Sequence, residues 1–331
     1  MPCFHPIDAW RLSADLKDSD KRQIVFKKPN SAKGSYSKAD LSEHLKLPCG
    51  QCIGCRLERS RQWAMRCLHE SRLYSENCFI TLTYDDKNLP KDWSLHHEDF
   101  QLFMKRLRRK IEPRKIRYYM CGEYGDRDAE IRHRPLDAFE QYKNVGRPHF
   151  HACIFNYDFF DKRDPQKTDS GSTVYESDFL NELWQNKGFA NVGELNFDSA
   201  AYAARYCLKK ITGDLSHWHY TRIDLTTGES NILKPEYNAM SRDGGIGLDY
   251  FKKYQTDMHK GFINMRGKQM SLPKFYLSKL SEIEPELYDS LSEKRMEYGH
   301  VNQLHSTPHR LYVRERIVER RLKKLTRGLE S

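Results

Sequence analysis

The pattern of hydrophobic and polar positions defines regular elements from about residue 55 onward. Short apolar runs rich in β-forming residues predict strands at 78–84, 116–123, 149–156 and 189–195. Apolar residues at helical spacing predict helices at 55–74, 97–110, 175–187, 198–211, 247–259, 282–297 and 310–327. Residues 1–48 are polar and lack this periodicity, which predicts an irregular arm.

Three regions follow from this order of elements. They are an arm with a basic helix at 1–75, a unit of strands and helices at 76–213, and a helical, basic C-terminal region at 214–331. Strands separated by helices form either a parallel doubly wound sheet or an antiparallel sheet with helices packed on it. Periodicity alone does not choose between these two architectures.

Two histidines mark the strand predicted at 149–156. Successive side chains of a strand point to opposite faces, so His149 and His151 share one face while Phe150 faces a core. A single histidine is more often a structural or surface residue than a ligand. Two imidazoles on one face are half of a metal site.

A stretch rich in alanine and free of glycine and proline follows at 202–209 and favours a helix. Tyr202 and Tyr206, four residues apart, share a helix face, and Lys209 lies three residues further on. Tyrosines at helical spacing are usually core residues with their hydroxyls at the surface. The histidine strand and the tyrosine helix are therefore informative because they occur together.

Further segments complete the set: Phe79-Ile80-Thr81-Leu82-Thr83-Tyr84, Gly122-Glu123-Tyr124-Gly125, Pro48-Cys49-Gly50-Gln51-Cys52 with Cys55-Arg56, and Met240-Ser241-Arg242 before Gly245-Ile246-Gly247. With the histidines and tyrosines, they resemble the HUH endonucleases, and among these the two-tyrosine rolling-circle replication initiators of microviruses, in the gokushovirus-like branch. The resemblance covers most of the chain. Gly244 departs from the pattern, which has proline before Gly-Ile-Gly.

The resemblance implies an α+β fold with a central antiparallel sheet flanked by helices, and a catalytic core at 76–213. It implies that Tyr202 and Tyr206 are paired nucleophiles that nick single-stranded or origin DNA. One tyrosine forms a 5′-phosphotyrosine link and leaves a free 3′-hydroxyl for the host DNA polymerase. Lys209 would stabilise the phenolate or the charge developing on phosphorus, and the adjacent Lys210 is the alternative.

The resemblance also implies that Glu123, His149 and His151 hold a divalent ion. Asp126 and Glu130 are competing carboxylate ligands, and Glu123 is preferred because it ends a strand in the matching position. Mg²⁺ prefers oxygen ligands whereas Mn²⁺ accepts nitrogen more readily, so we expect the site to work with either ion.

Cys49, Cys52 and Cys55 have the spacing of metal ligands. Cys3 is our first candidate for a fourth ligand, and His5 and Cys67 are alternatives. We expect structural Zn²⁺ to pin the arm to the basic helix. An iron–sulfur site and free buried thiols are the other interpretations. Against the iron–sulfur site, the cysteines are not followed by the further cysteine and proline of the ferredoxin pattern.

The charge balance suits a polyanionic partner without identifying one, since 56 Lys and Arg against 46 Asp and Glu give a net charge of +10. Aromatic residues make up 12% of the chain, and their rings can stack on unpaired bases. The candidate DNA contacts are Thr81, Thr83, Arg56, Arg59 and Lys210. Ordinary β-forming threonines and solvated basic residues are the simpler interpretation of the same positions.

A membrane span is excluded, because the mean hydropathy is −0.84 and no apolar run approaches about eighteen residues. The N-terminus lacks the regions of a secretory signal, so we expect the cytoplasm of a bacterial host. There is no Gly-x-x-x-x-Gly-Lys-Ser/Thr loop, so we expect a host helicase to unwind DNA. The alternatives are a two-tyrosine transposase or relaxase, or a non-enzymatic zinc-containing DNA-binding protein.

Overall fold

The computed structural model describes residues 3–12, 24–26, 41–125, 146–168, 171–206, 215–223, 228–265 and 267–323. Within these ranges the strands are β1 (Ile7–Leu12), β2 (Ile24–Val25), β3 (Leu41–Leu47), β4 (Asn77–Thr83), β5 (Arg117–Tyr124), β6 (Pro148–Phe155), β7 (Arg163–Lys167), β8 (Thr173–Glu176), β9 (Ala190–Glu194), β10 (Thr221–Ile223), β11 (Ser230–Ile232), β12 (Tyr237–Met240), β13 (Phe262–Met265) and β14 (Lys268–Ser271). The helices are α1 (Ile53–Ser71), α2 (His97–Lys110), α3 (Asp178–Leu183), α4 (Phe197–Tyr206), α5 (Leu215–Tyr220), α6 (Leu248–Lys253), α7 (Lys274–Ile283), α8 (Pro285–Val301) and α9 (Pro308–Lys323).

The chain divides into two compact units. One contains the described residues up to Glu58 together with those from Lys294 to Lys323, and the other contains the described residues from Arg59 to Glu293. The three regions predicted from the sequence, with boundaries at 75 and 213, remain a prediction. In the described ranges, no helix combines the length and apolar character that crossing a membrane requires.

The larger unit is built on a seven-stranded sheet with the order β12-β5-β6-β4-β9-β8-β7. Every neighbouring pair in it is antiparallel, which confirms the predicted α+β class and the antiparallel arrangement. Strand β6 lies between β4 and β5 and is buried along its whole length. The two histidines therefore lie on an interior strand of the sheet.

Side chains cover both faces of this sheet. One core joins α2 to the sheet residues Ile80, Leu82, Phe150, Ala152 and Ile154. The opposite core contains Ala64 and Cys67 of α1, Ala200, Ala203 and Ala204 of α4, and Phe79, Tyr119, Cys121 and Cys153 of the sheet. Phe150 thus faces one core, as the strand alternation predicts, and the histidines face the other.

The helix predicted at 175–187 is shorter in the structure, where only Asp178–Leu183 is helical. Val174 and Tyr175 instead pair with β9 as part of β8. Ser177 then caps the helix, because its hydroxyl accepts a hydrogen bond from the Leu180 amide. β-Forming residues and the N-cap outweigh the apolar spacing that suggested a longer helix.

The prediction of an irregular arm at 1–48 is wrong where β1 and β3 pair, with β2 on the other edge of β1. Trp10 lies opposite His44, with ring centroids 5.2 Å apart. The His44 Nε2 atom is 2.9 Å from Asp8 Oδ1. Such cross-strand pairs stabilise a sheet but join segments distant in sequence, so periodicity within one segment does not reveal them.

Candidate active site

Glu123, His149 and His151 converge on the face of the sheet that α1 and α4 cover. The register pairs Glu123 on β5 directly with His149 on β6. The Nε2 atoms of His149 and His151 lie 2.9 Å and 3.0 Å from Glu123 Oε1. All three residues are buried, and their ligand atoms lie within 4.8 Å of one another. This donor set fits one divalent ion; Asp126 and Glu130 lie outside the described residues.

Hydrogen bonds fix the orientation of both imidazoles. The Nδ1 atom of His149 is 3.0 Å from the carbonyl oxygen of Arg147, and that of His151 is 2.9 Å from the Thr81 hydroxyl. An Nδ1–H that donates to oxygen leaves the Nε2 lone pair directed at the ligand position. The chain therefore presents two oriented nitrogens and one carboxylate, as a metal centre requires.

Thr81 has a contact in the structure that its sequence position alone does not reveal. The sequence predicts either a DNA contact or an ordinary β-forming threonine at this position, and the DNA contact remains a prediction. In the structure Thr81 lies opposite His151 in the β4–β6 register and hydrogen-bonds to it. A polar residue at this position of an apolar strand indicates some specific contact. Which residue it contacts depends on the register between β4 and β6.

The helix that carries the tyrosines begins at a side-chain cap. Asn196 Oδ1 accepts hydrogen bonds from the amides of Asp198 and Ser199, and the Ser199 hydroxyl accepts one from the Asn196 amide. The Ser60 hydroxyl of α1 donates to the carbonyl of Ala201 at 3.1 Å. The cap and this contact fix where α4 starts and how it lies against α1.

Helix α4 places Tyr202 against the histidines. The Tyr202 ring is 5% exposed and lies edge-on to the His151 ring at a centroid distance of 5.0 Å. The Phe79 ring also lies edge-on to the Tyr202 ring, at a centroid distance of 6.3 Å. Tyr206 lies one turn further along α4, where its backbone alone is described, and Lys209 and Lys210 lie outside the described residues. Of the predicted catalytic side chains, the structure thus brings Tyr202 to the candidate metal ligands.

A groove of about 290 Å³ lies beside this site. Its lining includes Phe79 and Thr81 from β4, Asn191 from β9, Thr173 from β8, and also Lys167 and Asn196.

Thr83, a predicted DNA contact, donates its hydroxyl to the carbonyl of Phe189 at 2.8 Å. Arg59 is exposed and Arg56 is half-buried, and their contact with DNA remains a prediction, as it does for Thr83 and Lys210.

Four cysteine thiols form a second candidate metal site in the smaller unit. The Sγ atoms of Cys3, Cys49, Cys52 and Cys55 lie within 4.8 Å of one another. The Cys3 Sγ atom is 3.4 Å from that of Cys49 and 3.8 Å from that of Cys52. Tetrahedral zinc with Zn–S bonds of about 2.3 Å requires sulfur atoms about 3.8 Å apart, so the cluster fits this ion.

Cys3 joins the other three cysteines, whereas the alternative fourth ligands lie elsewhere. The His5 Nε2 atom is 2.8 Å from Glu315 Oε2, and Cys67 is buried in the core of the larger unit. Burial raises the pKa of the Cys52 thiol, but hydrogen bonds from the amides of Cys55 and Phe4 outweigh it and lower the pKa to about 6. Burial raises the pKa of the Cys55 thiol. A bound cation would favour the thiolate form at every position.

Comparison with known proteins identifies three relatives. The replication-associated protein VP4 of Bdellovibrio phage phiMH2K is 33% identical over 275 residues, which cover 80% of this chain and 75% of that protein. The replication-associated protein ORF2 of Spiroplasma virus 4 is 29% identical over 314 residues, 89% of this chain and 86% of that protein. The replication-associated protein ORF4 of Chlamydia phage 1 is 28% identical over 314 residues, 89% of this chain and 69% of that protein.

A family model described as "Replication-associated protein ORF2/G2P" also matches residues 77–134. That segment runs from the start of β4, through α2 and β5, to beyond Glu123. No solved structure matches the chain significantly.

Proposed function

Because this chain belongs to the family of microvirus replication-associated proteins, we propose that it starts rolling-circle replication by nicking single-stranded or origin DNA with a tyrosine nucleophile. The observation that supports this proposal most directly is the contact between Tyr202 and His151. It joins a candidate nucleophile to a candidate metal ligand within one buried site. The proposed fold type is the HUH endonuclease.

Glu123, His149 and His151 would hold Mg²⁺ or Mn²⁺, and the bound ion would polarise the scissile phosphate and offset charge on the leaving 3′ oxygen. Two nitrogen donors beside a single carboxylate favour Mn²⁺ over Mg²⁺. Thr81 and the Arg147 carbonyl would keep both imidazoles in the required tautomer.

The phenol oxygen of one tyrosine attacks phosphorus and loses its proton, while the bond from phosphorus to the 3′ oxygen breaks and the 3′ oxygen takes up a proton. The products are a 5′-phosphotyrosine link and a free 3′-hydroxyl, from which the host polymerase extends the strand. Because the covalent link conserves the phosphodiester energy, rejoining requires no nucleotide cofactor. The other tyrosine of the Tyr202–Tyr206 pair, one helical turn away on α4, would attack the regenerated junction after one round. Lys209, or the adjacent Lys210, would stabilise the developing charge.

The four-cysteine cluster would bind Zn²⁺ in a structural role. Phe4, Cys52 and Leu311 form the buried core around it, with Val318 packed alongside. The ion would join the first residues of the chain, the start of α1 and the C-terminal helix α9 into one unit.

The relatives favour replication over transposition or conjugation, because all three are replication-associated proteins of phages. The same names favour phage DNA inside the bacterial host as the substrate. Host helicase and host polymerase would then supply unwinding and synthesis.

Cleavage of single-stranded phage DNA in Mn²⁺ tests the proposal. His149→Ala and His151→Ala should each reduce cleavage at least about a hundredfold while DNA binding persists, since affinity depends mainly on phosphate contacts. His96→Ala is the matched control, because its imidazole contacts Asp92 rather than Glu123. Wild-type cleavage by a protein lacking both His149 and His151 would refute the metal site. A wild-type protein that binds DNA without cleaving it would favour the non-enzymatic alternative.

A further inference from the structure

Phe189 is a large apolar residue at the surface beside the candidate active site. Its side chain is 76% exposed, directly before β9. The amide and the hydroxyl of Thr83 both donate to its carbonyl oxygen at 2.8 Å. The next residue, Ala190, pairs with Leu82 and is buried in the core on the far face. By strand alternation, Phe189 therefore lies on the face that carries Thr83.

The register aligns Phe189 with the candidate metal ligands. Glu123 pairs with His149, His149 pairs with Thr83, and the Thr83 amide bonds to Phe189. Four neighbouring strand positions thus carry a carboxylate, an imidazole, a hydroxyl and a phenyl ring in one row. Neighbouring strands lie about 4.8 Å apart, so the backbones of His149 and Phe189 are separated by roughly 10 Å. That distance is within reach of a nucleotide attached to a phosphate at the metal site.

The segment before Phe189 is held in place by contacts with the end of β4. The indole Nε1–H of Trp184 donates to the Thr83 carbonyl at 2.8 Å, and the Asp85 amide donates to the Lys187 carbonyl at 2.8 Å. A Cβ atom at Gly188 would lie 2.4 Å from the Asp85 nitrogen, so the two backbones approach as closely as glycine permits. The exposed ring is consequently carried on a braced loop.

The charges around the ring favour a base over a phosphate as its ligand. Lys187 forms an ion pair with Asp99, and Arg147 forms one with Asp86 at 2.7 Å. These cations are engaged within the protein, whereas the phenyl face is open to solvent. An aromatic face binds an unpaired base by stacking, and a base within a duplex does not offer its face.

We propose that Phe189 is the stacking platform for an unpaired base next to the scissile phosphate. The inference rests on the proposed function, because that function places the phosphate at Glu123, His149 and His151. It assigns a binding role to a residue outside the metal site and the tyrosine helix. The ligand it identifies is single-stranded rather than duplex DNA.

The test measures binding of a short labelled oligonucleotide of mixed sequence, as a single strand and as a duplex, to the full-length protein without added Mg²⁺ or Mn²⁺. Phe189→Ala should raise the Kd for the single strand about tenfold and leave the Kd for the duplex unchanged. Phe189→Trp should retain tight single-strand binding. With 2-aminopurine substituted at successive positions, one position should be quenched by the wild type and by Phe189→Trp, but not by Phe189→Ala.

Phe160→Ala is the control variant. Phe160 is 81% exposed, like Phe189, but it follows the C-terminal end of β6. That end pairs with the start of β4, through Phe155 and Asn77, whereas His149 pairs with Thr83 at the other end of β4. Three results would overturn the inference. Phe189→Ala could bind the single strand as tightly as wild type, it could lose as much affinity for duplex DNA as for the single strand, or Phe160→Ala could lose as much single-strand affinity as Phe189→Ala. Stacking by a wild-type protein that forms no covalent adduct would keep the base-binding role of Phe189 and refute both nicking and the position of that base beside a scissile phosphate, so the two failures are distinguishable.

Discussion

The Tyr202 ring stands edge-on to the His151 imidazole, with centroids 5.0 Å apart and ring planes at 88°. The Nδ1 atom of His151 is hydrogen-bonded to the Thr81 hydroxyl. The capped N-terminus of α4 and the contact of Ser60 with Ala201 fix the helix that carries Tyr202. The candidate nucleophile and the candidate metal ligand are therefore positioned relative to each other by the fold itself, which reduces the entropic cost of reaching a reactive geometry.

Replacing Thr81 should weaken the metal site without disturbing the fold. Thr81→Val keeps the β-branched shape and removes the hydroxyl that orients His151, so Mn²⁺ affinity should fall about tenfold. Titration calorimetry with Mn²⁺ measures the change. Thr83→Val is the control, since its hydroxyl bonds to a backbone carbonyl and should leave Mn²⁺ affinity unchanged. Equal affinity in Thr81→Val and wild type would contradict the orienting role.

Removing one thiol should release the zinc and loosen the smaller unit. Metal analysis of purified protein should find about one zinc per chain, absent from Cys52→Ser. Hydrogen exchange should accelerate in β1, β3 and α9 of that variant, because the core containing Leu311 forms around the cysteines. Cys78→Ser should keep its zinc, since Cys78 lies in the core of the larger unit. A metal-free protein with slow exchange in these elements would show that the thiols only pack.

Gly247 should tolerate no side chain. Its φ is +85°, its amide donates to Glu70 Oε2 at 2.6 Å, and a Cβ atom would lie 2.5 Å from the Tyr276 hydroxyl. Gly247→Ala should lower the free energy of unfolding by about 3 kcal/mol. Gly228→Ala, at φ +74° with open space around it, should cost only about 1 kcal/mol. Urea denaturation compares the two, and equal losses would rule out the steric contribution.

Acid should destabilise the larger unit through His69. Burial, with a contribution from Arg72, lowers the pKa of this histidine from 6.5 to about 3. Between about pH 6.5 and pH 3, His69 is therefore protonated in the unfolded chain but neutral in the folded chain. Because the unfolded chain binds more protons, the free energy of unfolding falls as pH drops from 6.5 towards 3, by up to about 1.4 kcal/mol per pH unit. His69→Gln should flatten this dependence in urea denaturation at a series of pH values. If the free energy of unfolding depends on pH equally in the two proteins, His69 is not responsible for the dependence. Any acid release of zinc affects both proteins alike, so the comparison is independent of it.

Local sequence patterns were sufficient for part of the site. The alternation of His149 and Phe150 between the faces of β6 follows from strand geometry. The helix predicted at 97–110 coincides with α2 because its amphipathic pattern and its packing agree.

Contacts between distant segments could not be predicted in this way. Thr81 reaches His151 through the pairing of β4 with β6, and no pattern within β4 specifies that register. Cys3 lies 46 residues before Cys49, so their approach depends on how the intervening chain folds back. Trp10 and His44 stabilise a sheet whose strands show weak alternation individually. In each case the missing information is tertiary, and residue spacing does not contain it.

In the proposed mechanism, a tyrosine of α4 becomes covalently bonded to DNA. Wild-type protein is incubated with single-stranded phage DNA and Mn²⁺, and the adduct is resolved on a denaturing gel and mapped by peptide mass spectrometry. We expect an adduct within the peptide from Ala200 to Lys210. Tyr202→Phe and Tyr206→Phe should each keep part of the yield, whereas the double variant should form none, because phenylalanine retains the ring and removes only the attacking oxygen. An adduct on a tyrosine outside this peptide, or full yield from the double variant, would show that Tyr202 and Tyr206 are not the nucleophiles.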